Sequence, residues 1–180
     1  MIPVALDASA VAVAVAGRGP AALRRFLALR AGAREVTLYS DHPEDLAAAG
    51  AALRPRLPVC GDLAALHALW IVGLPDDQAA GLAAQARAAR VLVNVEDRPA
   101  LCDFHNVAEV RRGDLLLTVS TAGASPGLAA RIRARLETEF GPEWADRLTL
   151  LRSRRAAWRH DGQDVKAQTD ALLQASGWLA

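Results

Sequence analysis

The chain has 180 residues, of which 52% are hydrophobic and only 4% are aromatic, and its formal net charge is +1. This length suits one domain of ordinary size, or one domain with an appendage, and the near-neutral charge argues against a nucleic-acid surface or a polybasic membrane anchor. No stretch contains the roughly 18 consecutive apolar residues that a membrane span needs. Cys60 and Cys102 are too few for a disulfide framework and lack zinc-ligand spacing. We therefore expect a cytoplasmic protein.

The first informative stretch joins an apolar run to a glycine turn. Residues 11–16 alternate valine and alanine, which is typical of a buried parallel strand. Gly17 and Gly19 allow a tight turn, and Pro20 suits the first position of a helix that continues to about residue 30. The spelling G-x-G-x-x-A over residues 17–22 is a dinucleotide-binding fingerprint, in which a pyrophosphate meets free N–H groups. The alternative interpretation is a plain α/β turn.

A second predicted strand, residues 36–40, ends at Asp41. This acid lies about 20 residues beyond the glycine turn, where an acid commonly accepts hydrogen bonds from the adenosine ribose. The alternative is that Asp41 is the N-cap of a helix beginning at Pro43. Arg18 and Arg34 could instead meet a 2′-phosphate, so the choice between NAD and NADP stays open.

Further apolar runs alternate with helical segments. We expect buried strands at 69–72 and 91–95, an edge strand at 57–60, and helices at 43–53, 62–68 and 76–89, the last capped by an Asp. This alternation predicts a doubly wound parallel sheet with right-handed crossovers. Ligands bind at the carboxyl ends of such strands. The loops after residues 16, 40, 72 and 95 should therefore share one edge of the sheet.

The pattern changes in the second half of the chain. Two strand-like runs, 107–111 and 115–120, flank Arg112-Gly113-Asp114 and predict an antiparallel hairpin. Ser125 is the expected N-cap of a helix that begins at Pro126 and runs through Glu137. From Pro142 onward the chain is expected to be helical.

The loop after the last parallel strand contains three carboxylates, Glu96, Asp97 and Asp103. Near a bound nicotinamide, one of them could abstract a proton from a substrate. The alternative is a polar loop with local Asp caps. The histidines have no ligand spacing, so we expect no resident metal site.

Taken together, these stretches resemble the dehydrogenase/ferrochelatase module of siroheme synthase, that is, the precorrin-2 dehydrogenase family. The Asn-Val-x-Asp-x-Pro and Ser-Pro-x-Leu-Ala segments are more specific than the glycine turn. The similarity covers roughly the first 140 residues. The matching segments are residues 15–25, 31–33, 93–99, 101–104, 111–115 and 120–129.

The resemblance implies a three-part chain and a reaction. An NAD-binding Rossmann domain (1–105) would be followed by a hairpin-built dimerisation region (106–140) and a small C-terminal helical domain (141–180). The homodimer would use NAD to oxidise the tetrapyrrole precorrin-2 to sirohydrochlorin, with insertion of Fe²⁺ in bifunctional members. Two alternatives stay open: a tetrapyrrole-binding dimer without dehydrogenase activity, and a chelatase that uses Asp97 and His105.

The resemblance also assigns residues. Asp97 matches the catalytic aspartate of the family. The positions implied at the nucleotide are Gly17, Arg18, Gly19, Pro20, Ala21, Ser40, Asp41, His42 and Pro75, and those implied at the tetrapyrrole are Asn94, His105, Thr121 and Ser125. The chain departs from the family at Arg18 and Ala122, which both stand where glycine is usual, at Pro20, which replaces a polar residue, and in residues 73–75 and 105–107.

Overall fold

A parallel sheet forms the first of two units, which meet in sequence between Asn106 and Val107. The computed structural model describes residues 2–7, 9–33 and 35–179, without the side chain of Asp45. The strands are β1 (Val13–Gly17), β2 (Val36–Tyr39), β3 (Leu53–Arg54), β4 (Ala68–Val72) and β5 (Leu92–Val95). The sheet order is β3-β2-β1-β4-β5, with every neighbouring pair parallel, so the predicted doubly wound topology is confirmed.

The core of this unit lies on both faces of the sheet. Alternate residues of β1 belong to different apolar clusters: Ala14 and Ala16 to one, Val13 and Val15 to the other. This follows from the two-residue period of a strand. Helices α1 (Gly19–Arg30) and α3 (Asp76–Ala88) cover the two faces. The apolar runs of the sequence are continuous rather than alternating because both faces are buried.

The edge of the sheet differs from the prediction. The edge strand is Leu53–Arg54, not residues 57–60, and Cys60 begins the short helix α2 (Cys60–Leu63), which ends well before residue 68. Leu53 and Arg54 pair with Leu38 and Tyr39 of β2. Pro55 follows directly and has no N–H to extend the ladder.

Two predicted helices also differ in detail. The segment Pro43–Ala52 is a 3₁₀ helix broken at Gly50, whose φ is +58°, rather than a regular α-helix. The N-cap of α3 is Pro75, which makes no side-chain cap, so the predicted Asp cap is wrong. Asp76 instead pairs with Arg98.

The second unit begins with the predicted hairpin. Strands β6 (Ala108–Arg112) and β7 (Leu115–Val119) are antiparallel, and Gly113 turns between them with φ +57°. Three helices follow: α4 (Pro126–Glu139), α5 (Trp144–His160) and α6 (Val165–Ser176). Ser125 Oγ accepts a hydrogen bond from the Leu128 N–H at 3.2 Å, which confirms the predicted N-cap.

An aromatic cluster closes the second unit. The ring centroids of Trp144 and Phe140 are 5.2 Å apart, and those of Trp144 and Trp178 are 6.3 Å apart. The guanidinium of Arg147 lies over both indoles, at 4.9 and 5.3 Å. These contacts fix residues that follow α6 to the start of α5. The predicted boundary at residue 140, between a dimerisation region and a helical domain, stays a prediction.

None of the described helices is long and apolar enough to cross a membrane.

Acid stability should depend on Asp62 in the first unit. Its carboxylate accepts from Arg56 at 2.5 and 3.0 Å and from the Val59 N–H at 2.8 Å, and these bonds, led by Arg56, lower the pKa of Asp62 from 3.8 to about 2. Because the folded pKa is the lower one, this stabilisation is present above about pH 4 and is lost as the pH falls towards 2. Asp62→Asn should cost about 1 kcal/mol at pH 7, since the pair is partly solvent-screened.

The measurement is urea unfolding of wild type and Asp62→Asn between pH 2 and 7. The difference between the two should shrink towards pH 2. The control is Asp170→Asn, which removes an exposed carboxylate of α6 with no ion pair among the described residues. A pH-independent difference would contradict the assignment.

Candidate active site

The ends of β1 and β4 approach each other closely at the carboxyl edge of the sheet. A Cβ placed on Gly17 would lie 2.1 Å from the carbonyl oxygen of Val72, so a side chain cannot fit there. The Arg18 N–H donates to that same oxygen at 3.0 Å. A Cβ on Gly73 would lie 2.6 Å from the Arg18 carbonyl oxygen, and the φ of Gly73 is +68°. The two glycines therefore allow the backbone contact between β1 and β4.

The glycine turn fits a dinucleotide. It lies between the adjacent strands β1 and β4, where the strand order of the sheet reverses: β2 and β3 follow on one side of β1, and β4 and β5 on the other. Doubly wound sheets bind nucleotides at this point of reversal. Gly19 has φ +67° and starts α1, whose first turn contains no acidic residue. The positive end of the helix is thus not neutralised locally. Pro20 removes one N–H donor, but Gly19 and Ala21 retain theirs.

The side chain of Arg18 spans this turn. Its Nε donates to Asp41 Oδ1 at 2.7 Å, and its Nη2 donates to Asp41 Oδ2 at 2.5 Å and to Gln78 Oε1 at 2.8 Å. The hydrogen bond between them raises the pKa of Arg18 and lowers the pKa of Asp41. Asp41 is not a helix N-cap, because His42 occupies that position without a side-chain cap. We call Arg18, Asp41 and Gln78 the clasp.

Gln78 was missed by the sequence analysis. It is the third residue of α3, a helix that begins after β4 at the carboxyl edge of the sheet. That position was a usable signal, since the first turn of such a helix faces the ligand edge. Arg34, the other basic candidate, lies outside the described residues.

The remaining nucleotide candidates shape the turn after β2 and the start of α3. Ser40 is fully buried, and its Oγ accepts from the His42 N–H at 3.1 Å. His42 Nδ1 lies 3.4 Å from Glu44 Oε1 at the surface. The Pro75 carbonyl accepts from the Ala79 N–H at 2.8 Å. Ser40 and Pro75 thus have clear backbone roles, and nucleotide contacts by Ser40, His42 and Pro75 stay predictions.

The three carboxylates after β5 have different roles. Glu96 pairs with Arg25 of α1 at 2.9 Å. Asp103 pairs with Arg87 at 2.9 Å and also accepts from the Val93 N–H at 2.9 Å. Asp97 is exposed, and no described residue donates a hydrogen bond to its side chain. Its φ is +61°, in the left-handed region that favours glycine, that Asp and Asn adopt more readily than other residues, and that recurs at functional sites.

Asn94 lies beneath this loop. The residue is 4% exposed, and its side chain donates to the Phe104 carbonyl at 2.8 Å and accepts from Asn106 at 3.0 Å. Asn106 in turn accepts from Trp70 Nε1 at 2.7 Å. Asn94 therefore fixes the loop that carries Asp97, and contact with a substrate stays a prediction. His105 is exposed between Phe104 and Asn106.

Two candidates lie in the second unit, in the turn before α4. Thr121 Oγ1 donates to the Ser125 carbonyl at 3.1 Å and accepts from the Ser125 N–H at 3.2 Å. Ala122 and Gly123 have φ values of +53° and +82°. The turn thus keeps a conformation that favours glycine at both positions, although one is alanine.

Two further features bear on where a ligand binds. Among the described residues, no group of three or more His, Cys, Asp or Glu side chains could hold a metal ion. A cleft of about 460 Å³ lies at the amino end of β2, where Arg30, Thr37 and Gly50 are among its lining residues. That edge is opposite the glycine turn, and no predicted site residue lines the cleft. We therefore place the candidate site at the carboxyl edge.

Comparison with known proteins identifies the family of the chain. Residues 4–108 match the family model described as "Putative NAD(P)-binding", and residues 112–139 match "Sirohaem biosynthesis protein central". The chain belongs to the NAD(P)-binding module family of siroheme synthases. The family recognised from the motifs of the sequence is thereby confirmed.

Individual relatives are similar over parts of their length. The siroheme synthase of Thiobacillus denitrificans is 43% identical over 86 residues, which are 47% of this chain and 18% of that protein. The siroheme synthase of Nitrosospira multiformis is 34% identical over 146 residues, 76% of this chain and 31% of that protein. The chain thus spans less than a third of the length of these relatives.

A solved structure shares the fold. The protein named "SirC, precorrin-2 dehydrogenase" superposes with a TM-score of 0.71 at 24% identity, covering 97% of this chain and 88% of that one. The arrangement of a Rossmann-type sheet, a hairpin and C-terminal helices that the resemblance implied is therefore present here.

The turn before α4 provides a stability test of its positive φ. Ala122→Gly should stabilise the protein by about 0.5–1 kcal/mol, because glycine removes the left-handed penalty of alanine and only part of the gain is offset in the unfolded chain. Thermal unfolding measures the change. The control is Ala124→Gly in the same turn, whose φ is not positive; it should not stabilise. Equal effects of both substitutions would contradict the strain at Ala122.

Proposed function

We propose that this chain catalyses the NAD-dependent oxidation of precorrin-2 to sirohydrochlorin. The observation that carries the proposal is that the carboxylate of Asp97, unlike the other two of its loop, has no described protein partner. The chain also belongs to a family whose model is described as NAD(P)-binding. The structural neighbour is itself named a precorrin-2 dehydrogenase. The relatives named siroheme synthase support the same pathway.

The chemistry divides between the nucleotide and the chain. The oxidation removes two hydrogens from the substrate, one as a hydride and one as a proton. NAD, when bound, accepts the hydride. Gly17, Gly19 and the first turn of α1 would bind and orient the pyrophosphate of the nucleotide. The Asp97 carboxylate takes the proton from the substrate carbon and, being exposed, releases it to water.

The loop holds Asp97 from both sides. On one side, Glu96 is paired with Arg25, and its N–H donates to the Ile71 carbonyl at 3.0 Å. On the other side, the Arg98 side chain donates to the Leu74 carbonyl at 3.1 Å. Because both neighbours are fixed, the left-handed backbone at Asp97 is maintained, and the starting point of its side chain is set by the loop.

The proposal extends to the assembly and to the tetrapyrrole contacts. We propose a homodimer built on the region 106–140, because Leu128 and Ile132 of α4 are 50% and 38% exposed and lie four residues apart on one helix face. Asn94 and His105 of the first unit, and Thr121 and Ser125 of the second, stay predicted tetrapyrrole contacts. Insertion of Fe²⁺ into the product and a cytoplasmic location stay predictions, although two free cysteines suit a reducing compartment.

Removal of the Asp97 carboxylate should abolish turnover without unfolding the protein. Asp97→Asn should lower the rate of NADH formation from precorrin-2 and NAD by about 10²–10⁴-fold, the usual contribution of a positioned acid or base. Asn tolerates positive φ, so the free energy of unfolding should change little. Asp97→Gly should be equally inactive, and its stability should also change little, because Asp and Gly both adopt positive φ at this position.

The matched control is the neighbouring carboxylate. Glu96→Gln should lose stability with the Arg25 pair but keep most of the turnover, because Glu96 is a structural partner in this site. Turnover by Asp97→Asn within a few-fold of wild type would refute the role of Asp97. Nucleotide binding without any turnover by wild type would instead favour the tetrapyrrole-binding alternative.

A further inference from the structure

The clasp lies where a doubly wound sheet normally binds the adenosine ribose. In NAD sites, an acid after the second strand accepts from the ribose hydroxyls, and its negative charge repels the 2′-phosphate of NADP. Asp41 occupies that position, directly after β2 and Ser40. Here, however, the carboxylate has a bidentate partner in Arg18. The acid that would reject a 2′-phosphate is therefore neutralised.

The geometry of Arg18 leaves hydrogen-bonding capacity at the same place. Nε and Nη2 serve Asp41 and Gln78, and no described atom accepts a hydrogen bond from Nη1. A guanidinium can bind a carboxylate with one edge and a phosphate with another, since its donors form a planar fork. The side chain is 22% exposed, so solvent reaches it. Gln78 adds no charge, and the clasp is neutral overall.

The backbone conformation of Arg18 shows that its side chain can replace the hydrogen of a glycine without straining the turn. Its φ and ψ are −129° and 155°, extended values that any residue adopts. The arginine therefore costs the turn no strain while it places a cation beside the ribose position. Since Pro20 removes one N–H from the start of α1, the guanidinium also restores a donor for an anion at this edge.

We propose that Arg18 is a specificity-determining residue that lets the nucleotide site accept a 2′-phosphate, so that the chain binds NADP as well as NAD. The proposal rests on the nucleotide-binding part of the proposed function and is independent of turnover. Asp41 holds the guanidinium at the ribose position, and Gln78 fixes it from α3.

Calorimetric titration of the full chain with NAD and with NADP, without substrate, tests the proposal. Wild type should bind both with dissociation constants within about tenfold of each other. Arg18→Ala should weaken NADP binding by about tenfold or more without weakening NAD binding, because it removes a charge-assisted hydrogen bond to the 2′-phosphate and leaves a bare carboxylate that repels this group but can accept from the ribose hydroxyls of NAD. Arg18→Lys keeps the positive charge but lacks the planar fork of donors, so its dissociation constant for NADP should lie between those of wild type and Arg18→Ala. This variant also tests the proposal if Arg18→Ala does not fold.

Two further variants separate the clasp from general charge. Arg18→Ala/Asp41→Asn should recover part of the NADP affinity, because the bare carboxylate is gone. Arg24→Ala removes a charge from the exposed side of α1, where no ion pair is described, and should affect NADP binding little. Wild type that binds NAD but rejects NADP by about a hundredfold would overturn the inference and leave the proposed function standing. Equal losses in Arg18→Ala and Arg24→Ala would also overturn it, and binding of neither nucleotide would overturn both.

Discussion

The close approach of β1 and β4 at their carboxyl ends is the constraint on which the site depends. A side chain on Gly17 would collide with the Val72 carbonyl, and one on Gly73 would collide with the Arg18 carbonyl. Because both positions are glycine, the Arg18 N–H reaches Val72 and α1 can start directly at the sheet edge. The start of α1, the clasp and the loop after β5 all lie at this edge. Hence a backbone contact, rather than any polar side chain, places the site.

A second constraint is the distribution of arginines around the loop after β5. Arg25 from α1 binds Glu96, and Arg87 from α3 binds Asp103. The two carboxylates thus stabilise the loop by joining it to helices on opposite faces of the sheet. Asp97 receives no such partner among the described residues. The same loop therefore combines rigid attachment with one available carboxylate, as a positioned proton acceptor requires.

The sequence was sufficient for features that depend on local patterns. Continuous apolar runs marked β1, β2, β4 and β5, and Ser125 followed by Pro126 marked the start of α4. It was insufficient where tertiary context decides. Leu53 and Arg54 form a strand only because β2 offers an edge, and two residues carry no periodicity.

Long-range ion pairs could not be predicted from the sequence for a similar reason. Arg18 and Asp41 are 23 residues apart in the chain, and their mutual pairing depends on how β1, β2 and α3 converge. The three carboxylates near Asp97 could not be ranked from spacing alone, because the arginines that distinguish them lie on other elements.

The two positions where this chain replaces a family glycine have different physical meanings. Ala122 has φ +53°, so the turn retains the backbone that glycine favours and the alanine adds strain. Arg18 has φ −129°, so its backbone never needed glycine, and the replacement adds only a side chain. A new side chain paired with Asp41 adds a positive charge at the end of β1 without changing the fold. Departure from the motif therefore changes the local charge at Arg18 and the stability at Ala122.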